Sequence, residues 1–285
     1  MFKESLVLDM VLDVRRTMPR LGGRKLYHIL GNDLHCVGRI GRDKFFSILR
    51  KNNLLIEAKR SYTRTTNSFH RFYMWNNLIK EVEVSRINQV WVSDITYLRT
   101  IKGFVYLFLI TDLFSRKIVG WSLSRSLSIE GAAEALKMAL RCRKDKTLPL
   151  IHHSDRGIQY CSHTYVGLLQ KEGIGISMTQ ENHCYENSTA ERVNGILKDE
   201  FYLDNTFNDF AQTHQAVRSA VNIYNEKRPH WSLNLLTPEQ VYPVKQHKAV
   251  KEKMKKNNKI ICQLFLGRDT VRQVLASSDF RLPTL

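Results

Sequence analysis

The chain has little cysteine and no long apolar stretch. Its five cysteines, at positions 36, 142, 161, 184 and 262 of 285 residues, form no Cys-x-x-Cys pair, which argues against both a zinc ribbon and a disulfide framework. No run of apolar residues is long enough to cross a bilayer. The first residues carry acids among apolar side chains and lack the pattern of a signal peptide. We therefore expect a cytoplasmic protein with no membrane partner.

Acidic residues are scarce at both ends of the chain. Residues 1–80 hold 16 Lys or Arg against 6 Asp or Glu, and residues 241–285 hold 10 against 3, whereas residues 81–240 hold 18 of each. The net charge of +17 therefore belongs to the flanks. Basic flanks suit binding to a polyanion such as DNA, because Lys and Arg displace counterions from phosphates. Binding to DNA would associate the protein with the nucleoid. The alternative is a basic surface without a nucleic-acid partner.

The N-terminal flank, residues 1–60, has helical periodicity. Leu6, Met10 and Val14 repeat at helical spacing, and Pro19 ends the repeat. The length of the chain allows one sizeable core and a smaller module, and this flank is the candidate for the module.

Two short helices are predicted after that break, over residues 24–30 and 39–49, with a turn-rich connection over residues 31–38. A basic second helix after such a connection is typical of a helix-turn-helix that reads the major groove. A helical hairpin packed for structural reasons would look the same. The candidate DNA-binding residues on the second helix are Arg39, Arg42, Lys44 and Arg50.

Two further basic segments flank the middle of the chain. Residues 61–85 are rich in Arg, Ser, Thr, Asn and aromatic residues, which predicts a basic linker able to follow a phosphate backbone. Residues 244–285 are predicted to form a basic C-terminal tail. Seven lysines and one glutamate lie between Lys245 and Lys259, a pattern that a solvated helix would also give.

Residues 86–243 are predicted to form the main core. Apolar residues first recur with the period of two that strands require, and helical patterns then alternate with short apolar runs. Three antiparallel strands followed by this alternation predict an α/β fold, a ribonuclease H-like mixed five-stranded sheet with flanking helices. The predicted strands span residues 90–98, 104–111, 118–123, 148–151 and 174–178, and the predicted helices residues 129–141 and 162–172.

Three acidic residues stand where such a fold could bring them together. Asp94 lies in the first predicted strand, Asp155 just after the fourth, and Glu191 in a predicted helix. Phosphoryl transfer uses hard divalent cations with oxygen ligands, and two ions about 4 Å apart can serve the attacking and the leaving oxygen. The three carboxylates are therefore candidate catalytic and metal-binding residues. Ser188-x-x-Glu191 also fits a capping box, in which the glutamate would only bond its own helix start.

Other residues near the candidate triad admit two readings. Asn194 and Lys198 fall on the same helical face as Glu191, which would suit a place where metal and phosphate meet. Asp112 could be a fourth ligand or could fix a turn. The imidazoles of His152 and His153 could move protons or could serve as hydrogen-bonding groups of the interior.

Five sequence blocks resemble the integrase core of bacterial insertion-sequence transposases. The resemblance is to the second-frame (orfB-type) product of two-frame elements, which is related to retroviral integrases, and it covers about residues 20–243. The blocks are Asp94-Ile95-Thr96-Tyr97, residues 112–121, residues 152–160, residues 184–191 and Tyr224-Asn225-x-x-Arg228-Pro229-His230. Glu186 and Ser188-Thr189 depart from the usual pattern, but no triad residue does.

The resemblance implies a DDE transposase that cleaves and transfers DNA strands of an insertion sequence. It implies Asp94, Asp155 and Glu191 as the triad, Mg²⁺ or Mn²⁺ as cofactor, two ions in all, and Lys198 as a contact to the element end. It also implies a homo-oligomer in a synaptic complex with element ends and target DNA, and an upstream-frame helix-turn-helix protein as a possible partner. The alternatives are a ribonuclease H-like structure-selective nuclease and a non-catalytic DNA-binding regulator of element ends.

Overall fold

The computed structural model describes residues 2–57, 72–180 and 187–242. The predicted tail lies outside the described residues, as does the linker up to residue 71. No helix in the described part of the chain combines the length and the hydrophobicity that spanning a bilayer would require. The helices that precede the sheet are α1 (Phe2–Thr17), α2 (Gly23–Ile29), α3 (Gly31–Cys36) and α4 (Arg42–Lys51).

The N-terminal helices pack around their own apolar core. Leu26 of α2 and Phe45 of α4 are fully buried in it together with residues of α1. The predicted turn-rich connection over residues 31–38 is wrong, because residues up to Cys36 form α3. Leu34 is buried four residues after Leu30, and this burial outweighs the low helix propensity of the glycine that opens α3.

The sheet begins at Val90. Its strands are β1 (Val90–Thr100), β2 (Gly103–Asp112), β3 (Ile118–Ser124), β4 (Ile151–Ser154), β5 (Gly175–Met178) and β6 (Thr206–Phe207). The intervening and following helices are α5 (Ile129–Cys142), α6 (Ile158–Cys161), α7 (His163–Lys171), α8 (Ser188–Glu200), α9 (Phe210–Glu226) and α10 (Pro238–Val241), with a 3₁₀ turn at Trp231–Leu233.

The sheet has the order β3-β2-β1-β4-β5. The first three strands in the chain pair antiparallel, whereas β4 pairs parallel with β1 and β5 parallel with β4. Helix α5 covers one face, and helices α8 and α9 cover the other. This is the predicted ribonuclease H-like mixed sheet of five strands with flanking helices. The two-residue strand β6, which the sequence pattern did not predict, pairs with the end of β1.

Strand β1 has a gap along one of its edges. Strand β4 pairs with its residues 90–92, and β6 pairs with Arg99 and Thr100. Between these two partners, residues 93–98 have no neighbouring strand on that edge within the described part of the chain. Asp94 lies at the start of the gap, so its position is accessible from the side of the sheet.

The two outer strands of the sheet are bonded by other segments. The side-chain amide of Asn225 accepts a hydrogen bond from the N–H of Ile118 at 2.9 Å and donates one to its carbonyl at 3.0 Å, on the outer edge of β3. On β5, the N–H of Met178 donates to the carbonyl of Asn76 at 3.4 Å, and Ser177 Oγ accepts from the N–H of Leu78 at 2.8 Å. Both edges therefore have backbone groups that are already paired.

The fourth strand lies three residues later than predicted. The apolar run 148–151 indicated a strand there, but Leu148 is exposed and β4 spans Ile151–Ser154. The backbone at Pro149 has no N–H to donate to a sheet. The two histidines and the serine of β4 are buried, and buried serine hydroxyls form hydrogen bonds with both imidazoles. A search for apolar residues does not detect a strand that is buried in this way.

Helix α5 approaches β3 closely at Gly120. A Cβ atom on Gly120 would lie 2.2 Å from the carbonyl oxygen of Ala135 and 2.9 Å from the Cβ of Ala139. We expect Gly120→Ala to lower the free energy of unfolding by about 1–3 kcal/mol, the usual cost of overpacking a core. Chemical denaturation measures this value. Gly167→Ala is the control, because nothing lies within 4 Å of a Cβ at that position.

Candidate active site

Asp94 occupies the middle of β1, on the face covered by α8. Its Oδ1 accepts a hydrogen bond from the N–H of Ile95 at 2.9 Å, and its Oδ2 accepts one from the Nδ2 of Asn194 at 2.7 Å. These two donors fix the carboxylate on the strand. Each carboxylate oxygen retains a further lone pair that could face a cation.

Asp155 directly follows β4, as predicted. Val92 of β1 pairs with His153 of the parallel strand β4. Asp94 and Asp155 each follow two residues after these paired residues. Parallel neighbours in a sheet lie about 4.8 Å apart, which brings the two carboxylates to the same level of the sheet. The Oδ1 of Asp155 accepts a hydrogen bond from the N–H of Gly157 at 3.0 Å, in the turn that leads to α6.

Glu191 lies in the first turn of α8 and its side chain is exposed. Helix α8 begins at Ser188, and the preceding cap residue, Asn187, makes no side-chain cap bond. The capping-box alternative is therefore wrong, because Ser188 is inside the helix and not at the cap position. The carboxylate of Glu191 is available for another role.

The three carboxylates act on one another electrostatically. Burial first, then Asp155 and more weakly Glu191, raise the pKa of Asp94 to about 7. Burial and then Asp155 raise the pKa of Glu191. Among the described residues, no three His, Cys, Asp or Glu side chains already converge as metal ligands would. The fold thus brings the predicted triad within electrostatic reach, and mutual repulsion disfavours three ionised groups without a cation.

The pH dependence of stability should report the Asp94 carboxyl. Because its pKa is raised in the folded state, its contribution to the free energy of unfolding is complete below its ordinary pKa of 3.8 and is lost as the pH rises through about 7. The loss is at most about 4 kcal/mol, at about 1.4 kcal/mol per pKa unit. We expect urea unfolding in EDTA to show a smaller decline over this range for Asp94→Asn. Identical declines in variant and wild type would contradict the assignment.

Asn194 of α8 and the cap residue Asn187 join this helix to β1, and apolar patterns gave no signal for their contacts. Asn194 donates to Asp94, and Asn187 donates from Nδ2 to the carbonyl of Ser93 at 3.0 Å. Both side chains are buried, and each keeps an Oδ1 that has no hydrogen-bond partner among the described residues. Hydrogen bonds from residues before and after Glu191 therefore hold α8 against β1.

Lys198 lies on the same face of α8, one turn beyond Asn194. Burial lowers its pKa, while the negative charges of Asp94 and then Asp204 raise it in part. The structure therefore places Lys198 within the electrostatic field of the predicted triad. Its contact with DNA remains a prediction.

The C-terminal end of α8 is held by charged groups from two directions. Glu200 receives two hydrogen bonds from the Arg228 guanidinium, at 2.6 and 2.8 Å, and Lys25 of α2 lies 3.4 Å from the same carboxylate. Arg20 pairs with Asp199 at 2.5 Å and donates its backbone N–H to the carbonyl of Glu200. These bonds connect the N-terminal helices to the helix that carries Glu191.

The block Tyr224-Asn225-x-x-Arg228-Pro229-His230 thus makes contacts inside the fold. Asn225 pairs with the edge of β3, and Arg228 binds Glu200. The ring of His230 lies against Tyr224 and beside the Arg228 guanidinium, and burial, followed by the charge of Arg228, lowers the pKa of His230 to about 2. Its imidazole stays neutral at all physiological pH values.

The other conspicuous polar residues also serve the interior. Asp112 is fully buried and accepts hydrogen bonds from Ser115 and from the N–H of Asn88, so the turn-fixing interpretation is confirmed. His152 shares its Nε2 with Ser93 Oγ at 2.6 Å and with the hydroxyl of Tyr165 at 2.9 Å. Burial, followed by His153, lowers the pKa of His152 to about 3.

The predicted DNA-binding cations of the N-terminal region are exposed on or before α4. Arg42 pairs with its neighbour Asp43, and Lys44 lies 3.1 Å from Glu4 of α1. Arg39 precedes α4 with a φ of +56°, and Arg50 lies in the last turn. Their exposure is compatible with a nucleic-acid contact, which stays a prediction.

The central part of the chain matches two family models, both described as integrase core domain, over residues 84–184 and 172–238. The "Insertion element IS600 uncharacterized 31 kDa protein" of Shigella sonnei is 33% identical over 237 residues, 82% of this chain and 86% of that one. "Transposase InsF for insertion sequence IS3A" of Escherichia coli (strain K12) is 35% identical over 194 residues, 67% of each chain.

Solved structures with similar chain paths include retroviral integrases. One is the simian T-cell lymphotropic virus intasome in complex with PP2A regulatory subunit B56 gamma, with a TM-score of 0.49 at 18% identity over 79% of this chain and 76% of that chain. Another is the HTLV-2 integrase catalytic core domain in complex with magnesium, with a TM-score of 0.43 at 20% identity over 55% and 97% of the two chains.

Proposed function

Because the chain belongs to the insertion-sequence transposases with an integrase core domain, we propose that it cuts DNA at the ends of an insertion sequence and joins them to a target strand. It is a polynucleotidyl transferase of the DDE type. The observation that carries the proposal is the position of three carboxylates: Asp94 lies on β1, Asp155 just after the neighbouring strand β4, and Glu191 on the facing helix α8. The charge of Asp155 contributes to raising the pKa of both Asp94 and Glu191.

Asp94, Asp155 and Glu191 would hold divalent cations, Mg²⁺ or Mn²⁺, and two ions in the full complement. Carboxylate oxygens are the ligands that these ions prefer, and the raised pKa of Asp94 marks a place where added positive charge is stabilising. Bound there, the ions would supply activation of the attacking oxygen and stabilisation of the leaving one. The gap beside residues 93–98 leaves the site accessible to a phosphodiester from the edge of the sheet.

The residues of the chain would orient the reacting groups. Asn194 holds Asp94 in one rotamer, and the N–H of Gly157 does the same for Asp155. Lys198, on the same helical face as Glu191, would bind a phosphate of the element end. Water in the first step and the freed 3′-OH in the second would attack in line, so that no side chain forms a covalent bond to DNA.

The N-terminal helices would bind the element ends through Arg39, Arg42, Lys44 and Arg50. Two ends must be brought together for transfer, so we infer that the protein works as a homo-oligomer in a synaptic complex with target DNA. An upstream-frame helix-turn-helix protein would be a further partner. A soluble, cytoplasmic protein associated with the nucleoid fits these roles, and the basic flanks give it affinity for DNA.

A joining assay separates this function from its two alternatives. The purified protein is incubated with Mg²⁺, a supercoiled plasmid and a labelled duplex made from the DNA that flanks the coding region. A transposase transfers the label to the plasmid, a structure-selective nuclease shortens the duplex without transfer, and a regulator binds it without cutting. Absence of label on the plasmid, with the duplex correctly bound, would overturn the proposal.

A further inference from the structure

The hairpin between β1 and β2 exposes large apolar side chains at its tip. Ile101 is 71% exposed and Phe104 is 53% exposed, while Arg99 and Lys102 beside them are exposed as well. Single exposed apolar residues are common on protein surfaces, but an adjoining group of them often marks a binding site.

The aromatic side chains at this tip lie on one face of the hairpin. Tyr97 pairs across the strands with Tyr106, and Arg99 pairs with Phe104. The ring of Tyr97 lies 5.2 Å from that of Tyr106 and 6.1 Å from that of Phe104, both in edge-to-face geometry. The Arg99 guanidinium carbon lies 5.8 Å from the centre of the Phe104 ring. We call Tyr97, Arg99, Phe104 and Tyr106 the hairpin patch.

The hairpin patch and the candidate active site lie on opposite faces of the sheet and approach each other at its open edge. Tyr97 is three residues beyond Asp94 on β1, about 10 Å along the strand. Because successive side chains of a strand alternate between the faces, Tyr97 lies on the face of α5 and Asp94 on that of α8, and both lie in the segment 93–98 that has no neighbouring strand on one edge in the described part of the chain. The carboxylate of Asp155 contributes, after burial and Tyr106, to raising the pKa of Tyr97, so the patch lies within the electrostatic reach of the triad. A DNA strand whose phosphate reaches the triad could therefore pass around the open edge of β1 and place bases further along the strand near these rings.

The chemistry of the hairpin patch selects one kind of occupant. Arg99 and Lys102 have no carboxylate within ion-pair distance in the part of the chain that the structure describes, so they would attract an anion. Aromatic rings beside such cations suit a polyanion that also offers flat π surfaces. In duplex DNA those surfaces are stacked on one another, whereas in an unpaired strand they are accessible.

We propose that the hairpin patch binds unpaired bases of the DNA strand that continues past the open edge of β1 from the bond that is cut, by stacking them on Phe104 and Tyr97. This inference rests on the proposed function and specifies the form of its substrate. Arg99 and Lys102 contact the phosphates of the same strand, and the strand opens at the element end when it enters the site.

Binding to two probes isolates the stacking contribution. The first probe is a short fluorescent oligothymidylate, and the second is an abasic strand with the same number of phosphates. Anisotropy titrations in EDTA exclude cleavage. We expect the wild type to bind the oligothymidylate more tightly, and Phe104→Ala to lose about 5- to 150-fold in affinity for it, the range for loss of one base–aromatic stack. Affinity for the abasic strand should not change.

Three further variants identify the nature of the contact. Phe104→Trp keeps an aromatic surface and should retain the preference for bases, whereas Phe104→Leu keeps apolar area without a π surface and should lose it. Ile101→Ala is the matched control, because Ile101 is a large apolar residue exposed at the same hairpin but has no ring. Its preference for bases should match that of the wild type.

Several outcomes would overturn the stacking proposal. An equal loss of affinity for both probes in Phe104→Ala would show that Phe104 contributes to binding without stacking on a base. A wild-type preference for bases in Phe104→Leu would show that apolar area is sufficient, as in a docking site for a protein. Dissociation of an oligomer by Phe104→Ala in sedimentation would identify an interface between copies of the chain. Because binding in EDTA needs no catalysis, these failures are distinct from a failure of the joining assay, which concerns the triad.

Discussion

Replacement of Asp94, Asp155 or Glu191 with alanine is expected to abolish strand cleavage and joining. Each change removes an oxygen ligand from the proposed cation site, and such ions contribute several kcal/mol to the stabilisation of the transition state. At about 1.4 kcal/mol per tenfold, this predicts at least about a thousand-fold loss in rate. Cleavage of a labelled element-end duplex in Mg²⁺ measures it.

DNA binding by these triad variants should remain close to that of the wild type, because the proposed phosphate contacts lie on Lys198 and on the N-terminal helices. Glu134→Ala is the control for loss of a carboxylate, since Glu134 lies on α5 in an exposed pair with Lys137. Retained Mg²⁺-dependent cleavage in any one of the three triad variants would refute the assignment of that residue.

Arg228→Ala is expected to cause the largest loss of stability. The guanidinium is buried, with 2% of its side chain exposed. Its removal leaves the more distant Lys25 as the one cation paired with the Glu200 carboxylate among the residues that the structure describes. Breaking a buried pair in this way costs about 3–5 kcal/mol, because one charge remains in the interior without its partner. Urea unfolding measures the change.

Two comparisons test the reason for that loss. Lys137→Ala breaks an exposed pair and should cost about 1 kcal/mol or less. The double variant Arg228→Met with Glu200→Met removes both charges and should recover much of the stability lost by Arg228→Ala. If the double variant is as unstable as the single one, packing and not the uncompensated charge accounts for the effect.

The sequence predicted the elements that position the candidate site, because these elements have strong local signals. The period of two around Asp94 and the position of Asp155 just after the fourth strand both correspond to the fold. The sequence did not predict α3 or the correct start of β4. Their local signals, glycines in the first case and adjacent polar residues in the second, indicate loops unless burial elsewhere is known.

The side-chain contacts that hold the site were beyond sequence reasoning for a different reason. The amide of Asn194 meets Asp94 across a hundred residues of chain, and Arg228 meets Glu200 across 28. A lone asparagine or arginine has the same appearance in a sequence whether it faces solvent or a buried acid. Only the packing of α8 between β1 and α9 decides between these environments.

The pairing of both outer strands of the sheet affects how copies of the protein can associate. An unpaired edge strand invites another chain to add to it, which leads to aggregation. Here the Asn225 amide occupies backbone groups of β3, and the segment around Asn76 and Leu78 occupies groups of β5. Strand addition at these positions is thereby disfavoured, which favours association of copies through helical or loop surfaces over extension of the sheet there.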